Sequence, residues 1–489
     1  MASPSTYGTA CRSSSSPSPI FLLTLTLTLT LLVSFLGPVF SAKNVTTLPG
    51  YSGTLPFTLE TGYTSVGEIE FFYYFVHSQG KPDTDPVLLF INGGPGCTGL
   101  NGLMYQIGPL SFNVSDYTGG MPSLMDKGNA WTETSSIIFL DAPVGTGFTY
   151  ATSTSAYTST DTLTAQQVHA FIREWMTDHP SFQKNPFFLG TDSYAGILTP
   201  MLAQDILQGN EALLDPLVNL KGMTLSSPHT YTDLETNSKI PFAHRLTLIS
   251  EALYEEVKTN CGGNYVSNTS ATCTESLDEV DQCIEYISRQ NVLEPYCAFL
   301  SPESHEAFRQ AGEGREKHRR ALQSFTKDYM LSLYRPRDFW CKNFDYLLMD
   351  FWLSYPSVRE ALGVRNGMVG TVFRCNISLS YSVDVSDVVE YHKNLTERGM
   401  QVLVFSGDHD MVIPHNSIEA WIKSLGLTVD FDWRPWFVDG QVAGYTVKYI
   451  NSGYRLTYAT IKGSGHSPPE YKRKECYQMF DRWIHYYPL

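Results

Sequence analysis

Phe187-Phe188-Leu189-Gly190-Thr191-Asp192-Ser193-Tyr194-Ala195-Gly196 is the stretch that decides how the rest of the chain is read. The apolar run over 187–190 has the composition of a short strand, Ser193 falls on the turn after it, and Ala195-Gly196 opens a helix expected through Gln208. A serine there is ordinarily a helix N-cap. It becomes a nucleophile only if the chain also supplies a bare-backbone loop for an oxyanion, then an acid and a histidine in that order.

Each part follows. Residues 86–91 read as a strand and run into Asn92-Gly93-Gly94-Pro95-Gly96-Cys97, whose glycines let backbone N–H groups approach a ligand closely. Loss of one such donor typically costs about 3 kcal/mol of transition-state stabilisation. Strand 402–405 runs into Ser406-Gly407-Asp408-His409-Asp410, and strand 455–461 into Gly463-Ser464-Gly465-His466. Asp408, nearest the strand end, is the expected acid, with Asp410 as its competitor. His466 is the expected base, because His409 and His415 crowd the acid and His485 lies in a terminal helix. Residues 68–77 and 135–140 add strands, and 162–178 adds a helix with Val168, Phe171, Ile172 and Trp175 on one face. Strands that alternate with loops and helices predict an α/β-hydrolase fold with a mostly parallel central sheet.

The middle of the chain differs. Four cysteines lie between 261 and 297, and residues 301–323 are charged and poor in apolar groups, like an exposed linker. The expected organisation is a signal peptide over 1–42, a first core part over 43–221, a disulfide-containing cap insertion with linker over 222–345, and a second core part over 346–489.

The 489 residues carry a net charge of −15, which excludes a phosphate-binding surface of clustered Lys and Arg and hence a nucleic-acid partner. Arg12, the apolar run from Ile20 to Leu36, and small residues at Ser41 and Ala42 read as a secretory signal with cleavage near Ser41; a signal anchor is the rival. No later stretch is apolar enough to span a bilayer. Sequons at Asn44, Asn113, Asn268, Asn376 and Asn394 agree with the secretory pathway, vacuolar or extracellular, where disulfides are the default use of the remaining cysteines. No C-x-x-C pair suggests zinc or redox chemistry, and neither metal nor cofactor is expected.

Taken together, Asn92–Cys97, the decapeptide 141–150 (AspAlaProValGlyThrGlyPheThrTyr), Asp192–Gly196, Ser406–Asp410 and Gly463–Ser467 resemble the ordered motifs of the serine carboxypeptidase-like family over nearly the whole mature length. The resemblance implies a Ser193–Asp408–His466 triad and an oxyanion hole from the N–H groups of Gly94 and Tyr194. Carboxypeptidases of the family read a terminal carboxylate with an Asn and paired glutamates. The matching positions here are Asn92, beside Gly93, with Gln106 and Asp192, so the proton-sharing carboxyl pair is gone. Asp192-Ser193-Tyr194, residues 238–244, 436–445 and 468–472 are similar to the plant acyltransferase subgroup. That subgroup moves acyl groups from 1-O-β-glucose esters to alcohols. Hydroxycinnamoyl or benzoyl transfer between small molecules is therefore the expected activity, with an acid-pH carboxypeptidase acting on peptides as the alternative and a non-catalytic scaffold behind it.

The resemblance also implies disulfides Cys97–Cys341, Cys261–Cys273 and Cys283–Cys297, with Cys375 and Cys476 free or paired together, and a two-chain form after cleavage of the linker. The sequence departs from the family at Thr191, where Gly is usual two places before the nucleophile. A β-branched residue there means a relaxed turn or impaired activity. Thr98 and Ser464 are milder departures.

Overall fold

The computed structural model describes Met1 and residues 42–268, 270–295 and 342–489. The expected signal segment, Cys297, Cys341 and the 301–323 linker lie outside the described residues.

The described residues from Ala42 onward fold around a twelve-stranded sheet. Its middle is parallel. In spatial order it runs Ser136–Leu140, Val87–Ile91, Phe187–Asp192, Leu220–Ser226, Gln401–Gly407 and Tyr454–Ile461. Antiparallel strands flank it: Ile69–Val76, Leu59–Val66 and Lys43–Val45 on one side, Gln441–Asn451 and Thr428–Val438 on the other.

Val87–Ile91 shows why the sheet forms. All five residues are buried, as a parallel strand covered on both faces requires. The two-residue period sends Val87, Leu89 and Ile91 into one core with Val168, Phe171 and Trp175 of helix Asp161–Asp178. Leu88 and Phe90 enter the other core with Trp352, Phe480 and Trp483.

The six expected strands are present with small changes of boundary, and Asp161–Asp178 is the expected helix, capped by the Thr160 hydroxyl. The flanking pair Thr428–Val438 and Gln441–Asn451 had no expectation. Asp439 and Gly440 join them with φ of 49° and 73°, the positive pair that a two-residue hairpin turn needs. The expected core–insertion boundary at 221/222 is corrected, because it would cut the central strand Leu220–Ser226. After it come helices Thr232–Arg245, Glu251–Cys261 and Ala271–Ile284, which share a small apolar cluster of their own.

Cys261–Cys273 pairs as expected. Cys97 does not pair with Cys341 but with Cys375. Thr98 N donates to Arg374 O at 2.9 Å and Asn376 N to Gly96 O at 2.9 Å. These bonds flank a short antiparallel bridge in which Cys97 and Cys375 form the closer, non-hydrogen-bonded pair. Cys375 is thereby removed as a partner for Cys476, a buried thiol whose pKa burial pushes up.

Candidate active site

The parallel strands deliver their loops to one edge of the sheet, and the expected residues meet there. Phe187–Asp192 ends at Ser193, whose φ of +60° puts a non-glycine residue in the left-handed region. This sharp turn aims the hydroxyl away from the sheet. Two glycines make it possible. A Cβ on Gly196 would lie 2.6 Å from Pro228 Cβ, and one on Gly93 would lie 2.5 Å from Tyr194 N. The Asn92–Cys97 loop thus passes directly over the Ser193 turn.

Thr191 does not disturb the turn. It stays in strand register between Ile91 and Leu225. Its side chain is buried, and its hydroxyl is 2.5 Å from that of Thr199 on the following helix. A β-branched residue suits a strand, and its one polar atom is paired. Thr98 is equally well placed: its hydroxyl donates to buried Asp141 at 2.5 Å.

Ser193 Oγ and His466 Nε2 are 2.7 Å apart. His466 Nδ1 lies 2.8 Å from a carboxylate, and that carboxylate is Asp410, not Asp408. An ionised carboxylate only accepts, so Nδ1 carries the proton and Nε2 is left to accept from Ser193. Asp410 is fully buried, and its other oxygen accepts from Val412 N at 2.8 Å and Ile413 N at 3.0 Å. Asp408 has a different task. Its Oδ1 accepts from Gly463 N at 2.7 Å, Ser464 N at 3.3 Å and His409 Nδ1 at 2.6 Å. The strand-end carboxylate is used on the adjacent loop, and the turn that follows brings Asp410 back beneath His466.

Burial acts to lower the pKa of His466. The Asp410 carboxylate, with Asp192 and Glu470 behind it, outweighs burial and raises it. The cap insertion also holds this loop: His466 N donates to Gln290 O at 2.5 Å, Met411 N to Arg289 O at 2.9 Å and Val292 N to His409 O at 3.2 Å.

Behind the nucleophile lies a buried polar network. Asn92 Oδ1 accepts from Gly102 N at 2.9 Å, and its amide donates to Gln106 Oε1 at 3.0 Å. Gln106 Nε2 donates to Asp192 Oδ2 at 3.0 Å and to Glu470 Oε1 at 3.2 Å. Ser467, next to His466, donates to Asp192 Oδ2 at 2.6 Å. Glu470 in turn receives Tyr346 OH at 2.6 Å and Lys342 Nζ at 2.9 Å. Burial raises the Asp192 pKa. It acts the same way on Glu470, but Lys342, Tyr346 and Arg374 outweigh it and hold that carboxyl below its ordinary range.

A family profile described as serine carboxypeptidase matches residues 49–486. The chain belongs to the serine carboxypeptidase family. It is 40% identical to "Serine carboxypeptidase-like 17" of Arabidopsis thaliana over 92% of this chain and 95% of that protein. It is 39% identical to "Serine carboxypeptidase-like 7" of the same plant over 92% and 94%. Among solved structures, Kex1(delta)p, a prohormone-processing carboxypeptidase from Saccharomyces cerevisiae, superposes with a TM-score of 0.68 at 18% identity, covering 90% of this chain and 95% of that one. That likeness establishes the α/β-hydrolase fold. The chain is a serine carboxypeptidase-like enzyme of that fold.

Family motifs thus point to Asn92, Gly93, Gln106, Asp192, Ser193 and His466, and the fold brings these residues together. Glu470, Lys342, Tyr346 and Ser467 were not expected in the site. Glu470 lies in the 468–472 segment, and the turn Pro468–Glu470 returns it beneath Gln106; the sequence carried the residue but not its direction. Among the sequons, Asn44 and Asn394 are exposed, and Asn113, Asn268 and Asn376 half-buried. No helix of the described residues is long and apolar enough to cross a membrane.

Proposed function

We propose that this chain is a serine-dependent acyltransferase that moves a hydroxycinnamoyl- or benzoyl-type group from a 1-O-β-glucose ester to an alcohol. The observation that supports it is the Gln106 bridge. The carboxyls beside the nucleophile are separated by an amide, and Lys342 keeps Glu470 ionised. The site therefore lacks a carboxyl pair that shares a proton and could accept a bond-sharing terminal carboxylate. An incoming peptide carboxylate would find no carboxyl ready to donate a proton to it, whereas a neutral sugar needs none.

In this reading His466 Nε2 takes the Ser193 proton as Oγ bonds to the ester carbonyl carbon. The N–H groups of Gly94 and Tyr194 hold the oxyanion, and Asp410 orients His466 and stabilises its charged form. The bond to the glucose O1 breaks, and that oxygen takes the proton from His466. The acceptor hydroxyl then gives its proton to His466 and displaces the acyl group, which restores Ser193. Transfer prevails over hydrolysis when the acceptor fills the site and excludes water.

The reading places the protein in the secretory pathway, vacuolar or extracellular, with glycans on its five sequons. The test pairs a 1-O-hydroxycinnamoyl-β-glucose plus mixed alcohols with a blocked dipeptide at mildly acidic pH, and Ser193→Ala as control. New ester that disappears in the variant supports the acyltransferase. Peptide cleavage without ester formation refutes it in favour of a carboxypeptidase.

A further inference from the structure

Gln106 holds together four pieces of chain that are far apart in sequence. Its Oε1 accepts from Asn92 at 3.0 Å, and its two amide hydrogens go to Asp192 at 3.0 Å and Glu470 at 3.2 Å. Its own backbone oxygen accepts from the Arg473 guanidinium, which also reaches Gly108 O. The residue sits at the end of the π-helical turn Gly102–Gln106, a feature that recurs at functional sites. Gln106 is 1% exposed and Asp192 4% exposed, so bulk solvent does not reach these bonds.

Two carboxylates this close to one another would ordinarily need a proton between them. An amide NH₂ supplies two hydrogens to two acceptors and cannot lose either one. We infer that Gln106 and Glu470 are positioning residues: the Gln106 amide replaces a shared proton permanently and keeps Asn92, Asp192 and Ser467 in place around the nucleophile whatever the pH. The charged and titratable groups facing the bridge are Asp192 and His466 on the nucleophile side, and Glu470, Lys342, Tyr346, Arg374, Tyr471 and Glu294 on the other. Lys127, Asp345 and Arg473 lie just beyond. Lys342 balances Glu470, so the bridge closes without a mobile proton. The inference rests on Ser193 being the nucleophile and not on the identity of the donor.

The test uses the full-length glycosylated protein and two readouts across pH 4–8. One is the rate of Ser193 labelling by a fluorophosphonate; the other is the thermal midpoint. In Gln106→Glu a carboxyl must donate where the amide did. One O–H replaces two N–H hydrogens, so the protonated carboxyl keeps only one of the two contacts; its pKa is raised by the carboxylates on either side, and the remaining bond is lost as pH rises through it. Labelling relative to wild type is expected to fall by about tenfold per pH unit above that point, and the thermal midpoint to fall over the same range. Adding Glu470→Gln places an amide donor on one side of the new carboxyl but leaves Asp192 on the other, where a proton must still be shared, so the pH-dependent fall is expected to persist. Gln106→Met, which keeps the size but removes both donors, is expected to lower labelling equally at every pH. The same pH profiles for Gln106→Glu and wild type, or no loss in Gln106→Met, overturn the inference. Absence of labelling in wild type overturns the nucleophile assignment instead, and the thermal midpoints still decide the bridge.

Discussion

Replacing Asp410 by Asn should nearly abolish acylation of Ser193, while the same change at Asp408 should not. The geometry sets both magnitudes. Asp410 Oδ1 accepts two backbone N–H groups, from Val412 and Ile413. In Asp410→Asn the amide oxygen keeps those bonds, so the NH₂ faces His466 Nδ1 at the 2.8 Å now occupied by the carboxylate. Two donors cannot meet there, and the imidazole moves its proton to Nε2. That nitrogen, 2.7 Å from Ser193 Oγ, then donates where it must accept. The variant also loses the negative charge that stabilises the imidazolium. A wrong tautomer and a lost charge together cost about 10³–10⁴-fold, roughly 4–5.5 kcal/mol. In Asp408→Asn the amide oxygen still accepts from Gly463, Ser464 and His409, and the loss should stay below about tenfold. The assay is the rate of labelling by a serine-reactive phosphonate, with thermal denaturation to show that both variants fold. Its pH dependence adds a signature. The carboxylate raises the His466 pKa, so neutral imidazole, and with it the rate, accumulates only above the ordinary imidazole value of about 6.5. Any residual limb in Asp410→Asn should move to lower pH. Equal loss in the two variants, or an Asp410→Asn enzyme within tenfold of wild type, would refute the assignment of Asp410.

Further outcomes follow from particular contacts. Glu470 has a folded-state pKa below its ordinary value, despite burial, because Lys342, Tyr346 and Arg374 act against it. Its contribution to stability is present above the unfolded pKa of about 4.3 and is lost as pH falls through the folded value. The difference in thermal midpoint between wild type and Glu470→Gln should therefore shrink between pH 6 and pH 3; a constant difference would contradict it. Gly196→Ala forces a methyl to within 2.6 Å of Pro228 Cβ. It should cost about 1–3 kcal/mol by overpacking and slow phosphonate labelling with it; an unchanged rate would show that the nucleophile turn tolerates the shift. Cys97 and Cys375 are 278 residues apart, and the chain-entropy argument gives their link about 5 kcal/mol. A non-reducing digest should contain the 97–375 cross-linked peptide, and Cys375→Ser should lower the denaturation midpoint; a 97–341 peptide would contradict the pairing.

The layout of the sheet was legible because its strands carry local signals. Val87–Ile91 is continuously apolar, and Phe187–Leu189 runs into a glycine, a serine and a second glycine in helix-opening context. The hairpin strands Thr428–Val438 and Gln441–Asn451 were missed, although Asp439-Gly440 is a strong turn signal. Exposed Phe431, Trp433 and Phe437 blur the expected alternation there. Thr191 looked unfavourable because the motif alone does not show that the strand extends through Asp192 or that Thr199, on the helix after the turn, comes within hydrogen-bond reach.

The sequence alone pointed to Ser193, His466 and the Asn92–Cys97 loop, and to the family, because each rests on a short segment whose chemistry depends on residues only a few positions apart. Tertiary structure decided which carboxylate meets His466, the Cys97–Cys375 link and the Gln106–Glu470 bridge. Asp408 and Asp410 are two residues apart in the same loop, and only the path of that loop against Gly463–His466 shows which carboxylate faces the imidazole. Cys341 lies at the end of the expected insertion and Cys375 beyond it, and only the bridge formed by Gly96–Thr98 against Arg374–Asn376 selects between them. Glu470 reaches Gln106 across 364 residues. Proximity of that kind is set by how the sheet and its helices pack, and no local pattern of residues encodes it.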